Sequence, residues 1–129
     1  MTDQDGISDV DRFVKERIDT VPHLEALLLL WNSRPKPWSV ESMGQALYLA
    51  PESAREILED LVRQGLIVIS PAAMPIYRCE PEPSLDRLLA AVDSAYRHEL
   101  IRITRLIHSK PSAAVRAFAT AFRIMKERK

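Results

Sequence analysis

Proline constrains this chain more than any other residue: there are nine, against three glycines, and every proline falls between stretches of apolar periodicity rather than inside one. A proline inside a helix removes a hydrogen bond and clashes with the preceding turn, so the prolines divide a helical chain into short pieces. Ser8, with Asp11 three residues later, reads as a helix cap, and Val10, Phe13, Val14 and Ile18 recur at helical spacing to about Asp19. Pro22 sits where a second helix starts, with Leu24, Leu27, Leu28 and Trp31 on a face so wide that this helix should be buried. Pro35-Lys36-Pro37 forces an extended passage, and Ser39 caps a third, short helix carrying Met43, Ala46 and Leu47. Leu49-Ala50-Pro51 turns the chain into a fourth helix, which runs to Gln64 with Ala54, Ile57, Leu58, Leu61 and Val62 inward and Gly65 as its stop.

Beyond Gly65 the period becomes strand-like. Leu66 to Ile69 and Ile76 to Cys79, joined by Ser70-Pro71-Ala72-Ala73-Met74-Pro75, predict a short hairpin. Ser84 then caps a long helix in which Leu85, Leu88 or Leu89, Val92, Tyr96, Leu100, Ile103 and Ile107 alternate steps of three and four. Ser109-Lys110-Pro111 breaks it, and Val115, Phe118, Phe122 and Met125 line a last helix. The expected fold class is mainly α with a small β-hairpin, divided into a domain over residues 1–83 and a helical segment over 84–129.

Charge separates the same two parts. Basic and acidic residues balance at 18 each, but residues 1–93 hold 9 basic against 16 acidic and residues 94–129 hold 9 against 2. The basic end reads as a nucleic-acid footprint, as the solvated face of two helices, or as a segment packed against the acidic body in the same chain or across a dimer. Catalysis has little to stand on. His23, His98 and His108 share no helix face at ligand spacing, three glycines leave no phosphate loop, and neither a metal nor another cofactor is expected. Cys79 has no cysteine to pair with and lies beside Glu80, so an inert thiol is expected. Met1 to Gly6 is acidic, and the apolar run Ala26 to Trp31 is far short of the roughly 20 residues that cross a bilayer. The expectation is a cytoplasmic protein that is not an enzyme and does not bind membranes.

A helix, an extended piece ending at Trp38, a short helix, a tight turn, a helix closed by glycine and a hairpin follow one another over residues 22–80. In this order, and in the phrase running from Leu58 through Leu61, Val62 and Gly65 to Leu66 and Ile67, the chain resembles the winged helix-turn-helix superfamily, including the MarR-like bacterial regulators. The resemblance implies a transcriptional regulator whose helix from Pro51 enters the DNA major groove while the hairpin touches the neighbouring backbone or minor groove. It implies DNA contacts from Ser42, Ser53, Arg55, Arg63 and Arg78.

The helix from Pro51 departs from that pattern in charge. Its outward strip is Glu52, Glu56, Glu59 and Arg63, flanked by Ser53, Asp60, Gln64 and Arg55. Arg55–Glu59 and Glu59–Arg63 are i,i+4 neighbours that would neutralise both arginines, and the acids face a duplex carrying one negative charge per roughly 1.7 Å. The alternative is therefore a protein-contact module in which Glu52, Glu56, Glu59 and Asp60 dock a basic partner. A helix of about 25 residues from Ser84 would reach nearly 40 Å, more than one small domain covers, so a homodimer is expected through Leu85, Leu89, Val92, Tyr96, Leu100, Ile103, Ile107, Phe118 and Phe122.

Overall fold

The computed structural model describes residues 8–109. Six helices and one hairpin follow in the order α1 (Asp9–Arg17), α2 (Val21–Asn32), α3 (Val40–Leu47), α4 (Pro51–Arg63), β1 (Val68–Ser70), β2 (Ile76–Arg78), α5 (Pro83–His98) and α6 (Leu100–His108). The expected class, mainly α with a small hairpin, is the one observed. The last expected helix, with Phe118 and Phe122, lies outside the described residues.

Side-chain caps explain the first three helix starts. The Ser8 hydroxyl accepts from the Asp11 amide (3.1 Å), and Thr20 caps α2 by accepting from the His23 amide. Ser39 and Ser42 close a reciprocal box at the start of α3, which satisfies two amides that the helix itself leaves bare. At the far end of α4, Gly65 takes φ +75°, its amide donates to the Val62 carbonyl (2.9 Å), and the Leu66 amide reaches back to the Leu61 carbonyl (3.0 Å). This is the Schellman arrangement that glycine favours. It engages the backbone of Leu66, so the strand begins at Val68, two residues later than the alternation suggests. Leu66 and Ile67 are instead buried in the core.

The core is built around α2, whose Leu24, Ala26, Leu27, Leu28 and Leu30 are all buried. α3, α4 and α5 pack on it, and no polar or charged side chain is buried among the described residues. The hairpin is antiparallel, pairing Val68 with Arg78, Ile69 with Tyr77 and Ser70 with Ile76. Trp38 joins it as a one-residue third strand by exchanging backbone hydrogen bonds of 2.8 and 2.7 Å with Tyr77. The buried Tyr77 ring ties this small sheet to the core.

The long helix expected from Ser84 is two helices. The first begins two residues earlier, with Glu82 in place of Ser84 as cap and Pro83 in its first turn, and it ends at Glu99, whose φ of −131° and ψ of 47° are not helical. α6 leaves from there and packs on α1. Arg102 fixes that return, donating to both carboxylate oxygens of Asp11 (2.9 and 2.8 Å) and to Glu99. A stripe with steps of three and four continues in register through a one-residue break, which is why periodicity did not reveal it. The break alters the argument for an over-long exposed face. Leu89, Val92, Ile103 and Ile107 are buried within their own chain, and Leu85 and Tyr96 are partly covered, the Tyr96 hydroxyl donating to Glu25 (3.0 Å). Leu100 and Ile101, at the elbow, are 51% and 65% exposed.

Candidate nucleic-acid interface

α4 is amphipathic, and its two sides are sharply divided. Ala54, Ile57, Leu58 and Leu61 are buried against the body, while Glu52, Ser53, Arg55, Glu56 and Glu59 are exposed. The two expected i,i+4 ion pairs do not form. Arg63 pairs with Asp60, three residues back, and among the described residues no ion pair engages Arg55, Glu52, Glu56 or Glu59. Asp60 sits between α4 and α2, where His23 holds its other carboxylate oxygen, and that position draws Arg63 away from Glu59. Arg55 is left as an exposed cation near the start of α4.

The remaining sequence-derived contacts differ in availability. Ser53 is exposed on the first turn of α4, its hydroxyl making no hydrogen bond among the described residues. The Ser42 hydroxyl is committed to the start of α3, accepting from the Ser39 amide (2.9 Å) and donating to the Ser39 carbonyl (3.2 Å). Arg78, half-buried on β2, donates to the Ser70 hydroxyl across the hairpin (3.2 Å) and meets no carboxylate among the described residues. Burial raises the Tyr77 hydroxyl pKa above the ordinary phenol value, and the Glu59 charge raises it further while Arg55 pulls it down. The wing and the outer face of α4 therefore share one electrostatic neighbourhood.

The opposite end of α4 carries a grouping that spacing along the chain does not reveal. His23 places Nε2 2.8 Å from Asp60 and Nδ1 2.6 Å from the Thr20 hydroxyl, and Asp19 lies close enough that ligand atoms of all three acidic or imidazole groups fall within 4.8 Å. Arg17 and Arg63 line the same hollow of about 440 Å³. Arg17 also donates to the side chain of Gln64 (2.9 Å) and to its carbonyl. With both ring nitrogens engaged and two guanidinium groups beside the carboxylates, the cluster reads as a brace between α1, α2 and α4 rather than a cation site. Asp60 belongs to this brace, so it is not a free member of the acidic strip. Nothing in the sequence signals a pairing across 37 positions.

Cys79, at the end of the hairpin, is 4% exposed. Burial pushes its thiol up to about 11, and the Glu80 charge that sequence suggested as the cause is the smallest contributor. One residue of this surface escaped the sequence reading altogether: Tyr48, between α3 and α4, is 94% exposed and takes φ +58°.

No protein-family model matches the chain, and no curated protein matches it. Solved structures do. Sco5413, a MarR family transcriptional regulator from Streptomyces coelicolor, shares 20% identity over 91% of this chain and 79% of its own, with a TM-score of 0.56. The Staphylococcus aureus MepR–DNA complex gives 14% identity, 92% and 88% coverage and a TM-score of 0.56. Lactococcus lactis ZitR gives 14% identity, 84% and 74% coverage and a TM-score of 0.52. At such identities it is the architecture that is shared, and the fold of this chain is that of the MarR-like winged helix regulators.

Proposed function

We propose that the chain is a transcriptional regulator that binds duplex DNA as a dimer, with α4 in the major groove and the hairpin beside it. The observation that carries this reading is the outer face of α4: an exposed Ser53 and an Arg55 without a carboxylate partner among the described residues stand on the helix that a winged fold presents to DNA. MepR, of the same architecture, was solved as a complex with DNA. Arg55 contacts a phosphate, Arg63 and Arg78 contribute at the edges, and Ser42 acts by holding the first turn of α3. Among the described residues no helix is long and apolar enough to cross a membrane, and a cytoplasmic location accompanies the reading.

The dimer rests on Leu100 and Ile101, two large apolar residues left bare on the first turn of α6. The buried Leu89, Val92, Ile103 and Ile107 shape that surface from beneath, with Leu85 and Tyr96 flanking. A second reading is favoured by Glu52, Glu56 and Glu59, three exposed acids without an ion pair among the described residues: the same face docks a basic protein. A gel-shift titration of mixed duplex fragments at two salt concentrations separates the two. DNA binding requires an affinity that falls steeply with salt, and absence of binding at low salt overturns the regulator reading in favour of the protein partner.

A further inference from the structure

Tyr48 is the most exposed large hydrophobic side chain among the described residues, at 94%, and its backbone is the strained one. At φ +58° and ψ +46° it caps α3 in the left-handed region, which a residue bearing a Cβ enters at a cost and glycine enters freely. The position cannot relax. The amides of Tyr48 and Leu49 both donate to the Gly44 carbonyl, the second at 2.8 Å. A Cβ added at Gly44 would lie 2.9 Å from the Leu49 carbonyl oxygen, so α3 and the turn are already in close contact. Leu47 and Leu49 pack against the core on either side and leave Tyr48 pointing away from it.

A ring that buries almost nothing, on a backbone conformation that disfavours it, contributes nothing to folding that glycine would not supply better. Strain of this kind collects where a side chain is held out for a ligand. Tyr48 lies two residues before Ala50, which opens α4, so it stands beside the end of the helix that enters the groove. In a helix-turn-helix the helix that precedes the one in the groove crosses the phosphate backbone, and Tyr48 caps that helix, α3. Resting on the DNA-binding reading above, we propose that Tyr48 is a backbone anchor: its phenol donates to a phosphate oxygen of the duplex and sets the register of α4 in the groove. A phenol is an uncharged donor, so this contact adds affinity without releasing a counterion and without selecting a base.

The test uses the full chain and a labelled mixed-sequence duplex of about 25 base pairs, long enough for two half-sites one helical turn apart, with affinity measured at several salt concentrations. Tyr48→Phe should weaken binding about three- to ten-fold, the range of one net hydrogen bond, with the salt slope unchanged. Arg55→Ala should weaken binding and lower the slope by about one. Tyr48→Gly should bind no better than Tyr48→Phe while melting at or above the wild-type temperature, because it relieves the left-handed strain. Wild-type affinity in both Tyr48 variants overturns the anchor and leaves the DNA reading standing. Weaker binding by Tyr48→Gly alone, with a lower melting temperature, assigns the residue to folding and also overturns it. A wild-type chain that binds no duplex at low salt overturns both.

Discussion

The two ends of α4 are built differently. The C-terminal end is rooted: His23 and Arg63 hold Asp60, Arg17 holds Gln64, and Gly65 closes the helix with two further backbone hydrogen bonds. The N-terminal end is bare, because Ala50 offers no side-chain cap and the Glu52, Ser53 and Arg55 side chains make no hydrogen bond or ion pair among the described residues. A helix fixed at one end and uncapped at the other leaves its first amide donors and its positive dipole end open to solvent. The rooted end should therefore govern stability and the bare end binding.

The largest effect belongs to the root. Leu61 is 1% exposed, and Leu61→Ala leaves a cavity under the last turn of α4 at a cost of about 2–5 kcal/mol, measurable by urea unfolding. Ser53→Ala, on the exposed first turn, should change stability by less than about 0.5 kcal/mol in the same assay. Comparable losses at both sites would break the comparison.

The buried Cys79 thiol supplies a pH dependence at the foot of the wing. Its pKa is raised in the fold from an ordinary 9.0 to about 11, so the native state holds this proton more tightly than the unfolded chain. The stabilisation, on the order of 2–3 kcal/mol, is complete below pH 9 and is lost as pH rises through about 11. A thiol reagent at pH 8 should react no faster than the protein unfolds, and rapid stoichiometric labelling would contradict the burial.

Gly65 comes next. Nothing lies within 4 Å of an added Cβ there, so Gly65→Ala isolates the cost of its positive φ, about 1–2 kcal/mol. Unchanged stability would mean that the helix can end without the left-handed turn.

How much of this was legible follows from which interactions are local. The caps at Ser8 and Ser39, the inner face of α4 and the stop at Gly65 were readable because each is set by residues within one helical turn. Thr20 as the cap of α2 was not read, since Pro22 marked the same start. The break at Glu99 was hidden by apolar spacing that runs through it, and what redirects α6 is a salt bridge from Arg102 to Asp11 across 91 positions. The Asp60–Arg63 pair was missed for a related reason. Spacing along one helix offered Glu59, and His23 on another helix decided the outcome. Tyr48 carries a local signal, an aromatic where a helix end ordinarily has glycine, but Pro51 marks the turn more strongly from Leu49 onward.

A smaller change addresses the bare end directly. Ala50 already has the extended backbone of a cap, with φ −62° and ψ 151°, so Ala50→Ser should let a hydroxyl accept from the exposed amides and stabilise the fold by about 1 kcal/mol. If those amides serve a phosphate, the same change should weaken DNA binding, moving stability and affinity in opposite directions. Tighter binding by the more stable variant would show that the end is bare without being used.

The smallest effect on stability, and the sharpest on function, comes from neutralising the outer strip. Glu56 and Glu59 make no ion pair among the described residues, so changing both to Gln should alter stability by less than about 0.5 kcal/mol. On the DNA reading the two carboxylates repel phosphates beside Arg55. Removing them should tighten non-specific duplex binding, most clearly at low salt where the Debye length is longest. On the protein-contact reading they are the docking charges, and their loss should slow association with a basic partner. The Tyr77 hydroxyl reports whether the geometry is kept, because the Glu59 charge raises its pKa; the double variant should titrate Tyr77 lower while the hairpin stays paired. A duplex affinity that does not rise, in a variant with that titration shift and an unchanged melting temperature, would assign the outer face of α4 to a protein.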